Sequence, residues 1–209
     1  MEQSGRSRSS RTDGAKTKAR ILEVSLPLFA ELGYAGTSIR RIADAADCNV
    51  ATLAYHFKDK QGLYSMVVQR LHAELSQGVP DVSSVAAGTP DELIDHYVKL
   101  LWDFANQHRV HMRLAVRHLL DQGAHPDVVM DNWAESLMAR ADLLIAMFRP
   151  EWPSAQRRLL VSSMQHLFVR FAIEDRAQLS VILGHPEDLD LSVRIWFGGM
   201  IRRELGLSQ

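Results

Sequence analysis

The sequence predicts an all-α protein of about nine helices, and three observations carry that expectation. Apolar residues recur every three or four positions through most of the 209 residues, the spacing of a buried helical stripe. No stretch alternates apolar and polar residues as a half-buried strand does, and no Asn-Gly hairpin signal occurs. Gly33, Thr89-Pro90, Arg149-Pro150 and Pro186 fall between the periodic rows, with Pro27 as an exception.

Residues 1–14 are rich in Ser, Arg and Gly without periodicity and read as a disordered arm, made basic by Arg6, Arg8 and Arg11 and continued by Lys16, Lys18 and Arg20. The first helix is expected over 15–32, with Ile21, Leu28 and Leu32 in line, a kink at Pro27 and a stop at Gly33. Two short helices within 37–57 follow. Asp59 can cap a fourth helix whose apolar row is Leu63, Val67, Leu71 and Leu75. A loop over 78–89 precedes Thr89-Pro90-Asp91-Glu92, a capping Thr with Pro at the first helical position and Glu three residues on. That helix runs to about His108 with a wide apolar surface, and 110–120 forms a short successor. A helix over 127–148 carries Met130, Trp133, Leu137 and Leu144. The next opens at Pro153, places Leu160, Met164, Leu167 and Phe171 in one row, and continues through Leu179 and Ile182. The last starts near Pro186 and carries Leu189, Val193, Trp196 and Met200, with Phe197 and Ile201 beside them.

Composition is that of a globular chain, with 46% hydrophobic residues and a formal net charge of −1. Charge is unevenly placed: ten basic and seven acidic residues lie up to Lys60, and fourteen and eighteen beyond it. A basic excess at one end fits local contact with nucleic acid rather than a coat over the whole surface. No apolar run approaches the roughly 18 residues that span a bilayer, and the polar, Arg-rich start lacks a signal-peptide core. The expectation is a cytoplasmic protein with no membrane partner. The lone Cys48 fits a reducing compartment; its plain role is a small turn residue behind the second short helix, and redox sensing is the alternative.

The informative stretch is 37–63, TSIRRIADAADCNVATLAYHFKDKQGL. Ile39, Ile42, Ala43 and Ala46 make one helical face, Asp47-Cys48 interrupts it, and Asn49 can cap a second helix anchored by Leu53 and Phe57. This is a helix-turn-helix pattern. Thr37, Ser38 and Arg40 at the start of the first of the pair, Lys60 after the second, and His56 are candidates for holding phosphates. Val50, Ala51, Thr52 and Tyr55 are the candidates for reading base edges in a major groove.

At Thr37-Ser38, Ile42-Ala43, Tyr55-His56-Phe57, and Lys60 followed by Leu63, the stretch resembles the DNA-binding domain of the TetR family of bacterial transcriptional regulators. It departs from the family pattern at Asp47, where Gly is usual, and at Ala54, where many members have Tyr. The resemblance implies a three-helix helix-turn-helix domain over 15–60 and a helical bundle over 61–209 for ligand binding and dimerisation. It further implies a homodimer that binds a double-stranded palindromic operator and represses until an unknown small-molecule effector releases it. Effector candidates are Trp102, Phe104, His111, Met112, Leu114, His118, Trp133 and Phe168, which offer aromatic and soft walls with few polar groups. The dimer is expected on the last two helices, through Leu160, Met164, Leu167, Phe171, Val193, Trp196, Phe197, Gly198, Gly199 and Met200. Each helical Gly costs about 1 kcal/mol relative to Ala, so Gly198-Gly199 points to the close approach of another helix.

No cofactor or metal is called for. His108, His111, His118 and Asp121 leave a metal-responsive regulator of the same fold as an alternative, although His111 and His118 lie two turns, roughly 10 Å, apart. A helical enzyme is the other alternative. It has no Gly-rich phosphate loop, paired Cys, HExxH or Gly-x-Ser-x-Gly to stand on.

Overall fold

A computed structural model describes residues 5–78, 88–120 and 133–207, and every element among them is helical. In chain order these are α1 (Gly5–Gly36), α2 (Ile39–Ala45), α3 (Val50–Phe57), α4 (Lys60–Gly78), α5 (Pro90–Gln107), α6 (Arg109–Leu120), α7 (Trp133–Phe148), α8 (Ser154–Ile173), α9 (Arg176–Ile182) and α10 (Leu189–Glu204). No helix among the described residues is long and apolar enough to cross a membrane. Contacts divide the chain into two compact units, one of Met1–Ala73 with Arg113–Met130 and one of Glu74–Met112 with Asp131–Gln209.

The first unit is built on α1. Ile21, Leu26, Phe29 and Ala30 are buried with Ile42, Ala43 and Ala46 of α2, Leu53 and Phe57 of α3, and Leu63, Tyr64, Val67 and Leu71 of α4. Phe29 meets the edge of Tyr64 at 5.0 Å, and Tyr34 meets the same ring at 5.1 Å. Such edge-to-face aromatic pairs fix relative helix position as well as burying area. Leu114 and His118 of α6 complete this interior, with His118 Nδ1 3.2 Å from the Tyr64 hydroxyl.

Two expectations for α1 change. The helix already runs from Gly5, so 5–14 is helical backbone, while 1–4 and the side chains of Arg6, Arg8 and Arg11 lie outside the described residues. Once a helix is nucleated each added residue gains a backbone bond, and Ser, Thr, Arg and Lys do not stop it. The discontinuity falls at Gly33 (φ 72, ψ 173) and not at Pro27. Pro27 and Glu23, four residues before it, both lie on the exposed side of α1, where the carbonyl that Pro cannot serve can be hydrated.

The second unit packs α5 against α10 and α8, and α7 against α8. Its core holds Ile94, Val98, Trp102 and Ala105 of α5 with Ala172, Leu179, Val193 and Phe197. The capping box at α5 forms as the sequence predicts: Thr89 accepts from Glu92 N and Glu92 accepts from Thr89 N. Asp190 ties three helices, accepting from Trp102 Nε1 at 2.8 Å, from Asn106 at 3.4 Å, and from both terminal nitrogens of Arg176 at 2.9 and 3.0 Å. The helix expected to run from Pro153 through Ile182 is two, which brings the total among the described residues to ten. Glu174 is extended, and Asp175 caps α9 by accepting from the backbone of Ala177 and Gln178. An acceptor that satisfies two orphan N–H groups starts a new helix where apolar spacing alone reads straight through. The opening of the helix expected at 127 lies outside the described residues.

Candidate functional site

The turn between α2 and α3 is tightly specified. Ala46 N donates to Ile42 O, Asp47 N to Asp44 O and Cys48 N to Ala43 O, closing α2. Asp47 then takes φ 48, the left-handed conformation that Gly supplies most cheaply and Asp tolerates. Asp47 thus takes up the turn conformation at the position where Gly is usual. Arg20 of α1 donates to the Asp47 carbonyl at 3.0 Å, a tether from the first helix that spacing could not reveal. Asn49 caps α3 by accepting from Thr52 N at 2.8 Å and from the Thr52 hydroxyl at 2.9 Å.

Helix α3 buries Leu53 and Phe57 and leaves its other face to solvent. Tyr55 is 85% exposed and Val50 47% exposed, while Ala51 and Ala54 are also exposed. His56 is half-buried, its ring 5.1 Å from Tyr55 and 6.0 Å from Phe57. After α3 the chain turns sharply: Lys58 has φ 69 and ψ −60, and Asp59 N donates back to Phe57 O at 2.8 Å. This is a γ-turn in its rarer, strained form. Asp59 then caps α4 by accepting from Gly62 N at 2.8 Å.

The candidate phosphate ligands divide. Ser38 caps α2, accepting from Arg41 N at 3.1 Å, and Arg40 is exposed. Thr37 is corrected: it is 1% exposed, and its hydroxyl donates to the carbonyls of Gly33 at 2.7 Å and Leu28 at 3.2 Å. It closes the α1–α2 corner. A hydroxyl that follows a helix end serves the freed carbonyls before it serves any ligand. Lys60 places its ammonium 4.3 Å from the Tyr34 ring centre, a cation–π contact, and partial burial holds its pKa below the usual lysine value.

The second unit contains a cavity of about 180 Å³. Of the effector candidates, Phe104, Met112 and Phe168 line it. The other effector candidates lie elsewhere. Trp102 is in the core with its indole N–H on Asp190, and His111 Nε2 is 2.8 Å from Glu74. Leu114 and His118 belong to the interior of the first unit, and the Trp133 side chain lies outside the described ones. Residues that periodicity did not single out fill the gap, including Tyr97, Leu101, Leu144, Ile145 and Gln165. Nothing in a helical row says whether it faces filled or empty space.

The dimerisation candidates also divide. Val193 and Phe197 are core residues at 1% exposure each, and Leu160 and Met164 line the cavity. Leu167 and Trp196 are exposed, while Phe171 and Met200 are half-buried. Gly198 is buried because α5 of the same chain lies against it: a Cβ there would meet Asp95 Oδ1 at 3.1 Å and Arg202 Nη1 at 2.9 Å. These neighbours are movable side-chain ends, one from α5 and one from α10 itself, so the contact is internal to the chain and does not by itself demand Gly. At Gly199 a Cβ would make only an ordinary contact, with Arg203 at 3.6 Å. Leu159 of α8 and Ile195 of α10, absent from the sequence-based set, are among the most exposed large apolar residues, and Phe171, Ile182, Leu183, Val193 and Trp196 line a surface groove.

For metal, His108 and His111 rings lie 5.3 Å apart beside Glu74, and burial pushes the His108 pKa down. No group of three or more His, Cys, Asp or Glu able to hold an ion occurs among the described residues, and Asp121 lies outside them. Cys48 is a half-buried free thiol.

Comparison with known proteins places these features. Residues 21–67 match the family model described as bacterial regulatory proteins, tetR family. The probable HTH-type transcriptional regulator YttP of Bacillus subtilis is 32% identical over 104 residues, 49% of this chain and 50% of that protein. The HTH-type transcriptional repressor NicS of Pseudomonas putida is 23% identical over 135 residues, 65% of this chain and 61% of that protein. The chain thus spans about half to three-fifths of these relatives. Among solved structures, a TetR-like transcriptional regulator from Rhodococcus superposes with a TM-score of 0.65 over 91% of this chain and 96% of that one, at 16% identity. A regulator from Mesorhizobium loti gives 0.64 over 93% and 97%, at 15% identity, so the fold is shared well beyond the helix-turn-helix.

Proposed function

We propose, from the match of residues 21–67 to the model of bacterial regulatory proteins of the tetR family, that the chain is a DNA-binding transcriptional regulator, a repressor that a small molecule releases from a palindromic operator. One observation carries the reading. Helix α3 is anchored by Leu53 and Phe57, capped by Asn49 and tethered through Asp47 to α1, yet it turns Tyr55 out at 85% exposure. A rigidly held helix with a short-side-chain face and a protruding aromatic suits a major groove, where Val50, Ala51, Thr52 and Tyr55 reach base edges while Ser38, Arg40, His56 and Lys60 lie near phosphates.

Two such heads require two chains. The exposed Leu159, Leu167, Ile195 and Trp196 of α8 and α10 supply the apolar face that a second copy would cover, and a cytoplasmic homodimer follows. The effector would occupy the cavity of the second unit and would have to favour the DNA-incompetent arrangement by differential affinity. Among the described residues, no group of three or more His, Cys, Asp or Glu able to hold a metal ion favours metal sensing over this reading.

The test begins by selecting bound fragments from genomic DNA to obtain an operator. Tyr55→Ala is then expected to weaken operator binding by at least about tenfold, on the scale of one base contact, with helical circular dichroism unchanged. Undiminished specific binding would remove α3 as the reading element. Sedimentation showing a monomer at micromolar concentration would remove the dimer.

A further inference from the structure

We propose that the cavity of the second unit selects a neutral, compact aromatic molecule carrying a single hydrogen-bonding group. This rests on the effector-controlled reading above and names the chemical class of that effector. Among the described lining residues there is no Asp, Glu, Lys, Arg or His; Tyr97 and Gln165 are the polar side chains, and the remainder are aliphatic, aromatic or thioether. A charged ligand would leave water with no opposite charge to meet, a loss far larger than apolar contacts return. His96, Asp103, His111, Asp142, His166, Arg170 and Glu204 each adjoin a lining residue in sequence, yet none of them lines the cavity.

Size and wall chemistry narrow the class further. About 180 Å³ is slightly more than the roughly 150 Å³ cavity that holds benzene in an engineered protein. One substituted ring fills it; a drug-sized ligand, which needs roughly 300–1,000 Å³, does not. Phe168 and Phe197 both line the space, with ring centres 5.0 Å apart and planes tilted by 57°. Aromatic guests pack well in such a corner. Met112 and Met164 add thioethers that adapt to a ring and contact it favourably. Tyr97 and Gln165 are the lining side chains that carry a hydrogen-bonding group to meet one on the guest.

Calorimetry on the full chain at pH 7.5 with 4-propylphenol, 4-propylbenzoate and propylbenzene tests this. The phenol and the hydrocarbon should bind, and the carboxylate, similar in size but charged at this pH, at least about a hundredfold more weakly than the phenol. Gln165→Leu should weaken the phenol about fivefold and leave propylbenzene within about twofold, a pattern that a general loss of packing would not give. Ala141→Phe, whose side chain would fill the cavity, should abolish binding of all three while the helical spectrum persists. Carboxylate binding as tight as the phenol, or no binding by any probe, overturns the proposal. The regulator reading fails separately: it falls if unliganded protein shows no operator specificity, and the probe affinities do not depend on that result.

Discussion

Gly62→Ala isolates the close approach that positions the end of α3. In the first turn of a helix this change ordinarily stabilises, by about 0.5–1 kcal/mol, because Ala has the higher helix propensity and restricts the unfolded chain. Gly62 does not have a left-handed φ, so conformation gives Ala no penalty. Space does. A Cβ built at Gly62 falls closer than 3.0 Å to the Phe57 carbonyl oxygen, 3.4 Å from Phe57 C and 3.5 Å from Asp59 Oδ1. The first two are backbone and cannot rotate away. Lys58 between them is already fixed at φ 69, so relief must come from shifting the whole α3–α4 turn. Overpacking of this kind costs about 1–3 kcal/mol, which outweighs the propensity gain. Set against that gain the net loss is about 0.5–2 kcal/mol, and at roughly 4–8 °C per kcal/mol for a unit of this size the melting temperature should fall by about 2–16 °C. Operator affinity should fall with it, since Phe57 closes the recognition helix. Circular dichroism melts compare Gly62→Ala with Gly14→Ala, where a Cβ would meet only His56 Cε1 at 3.9 Å and modest stabilisation is expected. A melting temperature for Gly62→Ala equal to or above that of the parent would refute the reasoning.

Three other outcomes follow from the same geometry. Gly198→Ala should change stability by less than about 1 kcal/mol, because its obstacles are the movable ends of Arg202 and Asp95, whereas Gly198→Leu should destabilise clearly through overpacking; thermal melts of both check this. Hydrogen bonds from Arg176, then from Trp102 and Asn106, hold the Asp190 pKa below the usual carboxylate value against the opposing effect of burial. Its stabilising contribution is therefore complete above about pH 4 and is lost as pH falls through the lowered native pKa; Asp190→Asn should flatten the acid limb of a stability-versus-pH curve, and an unchanged limb would count against the assignment. Removing residues 1–12 takes away Arg6, Arg8 and Arg11. If these contact phosphates, the slope of log affinity against log salt should fall by up to about 3, and an equal slope would mean that the arm contributes nothing.

Much of the fold is legible because helical spacing and caps are local. Thr89 to Glu92 specify the start of α5, Asn49 the start of α3, and the alternation of buried and exposed positions in α4 follows from Leu63, Val67, Leu71 and Leu75. The departures share a cause. Asp175 caps α9 although the apolar row continues past it, and the Asp190 hub gathers Trp102, Asn106 and Arg176 from distant parts of the chain. The site lists fail in the same way. Helix α8 is apolar on several sides, so Leu160, Leu167 and Val161 read alike in sequence, yet they face the cavity, solvent and a buried position lining the cavity respectively. Thr37 reads as an exposed hydroxyl at a helix start and is consumed by the α1–α2 corner. Gly62 carries no local signal at all, since its reason is a carbonyl five residues back.

The cap of α3 constrains how any duplex would be read. The Thr52 hydroxyl gives its proton to Asn49, and Val50, Ala51 and Ala54 have no hydrogen-bonding side-chain atoms. The outer face of this helix therefore has Tyr55 as its one free hydroxyl donor and methyl groups nearly everywhere else. On the proposed reading, such a surface would distinguish bases by the thymine C5-methyl and by groove shape rather than by donor-acceptor patterns. Replacing thymine with uracil across a half-site, which leaves every base-pair hydrogen bond intact, would strip away most of what this helix can recognise.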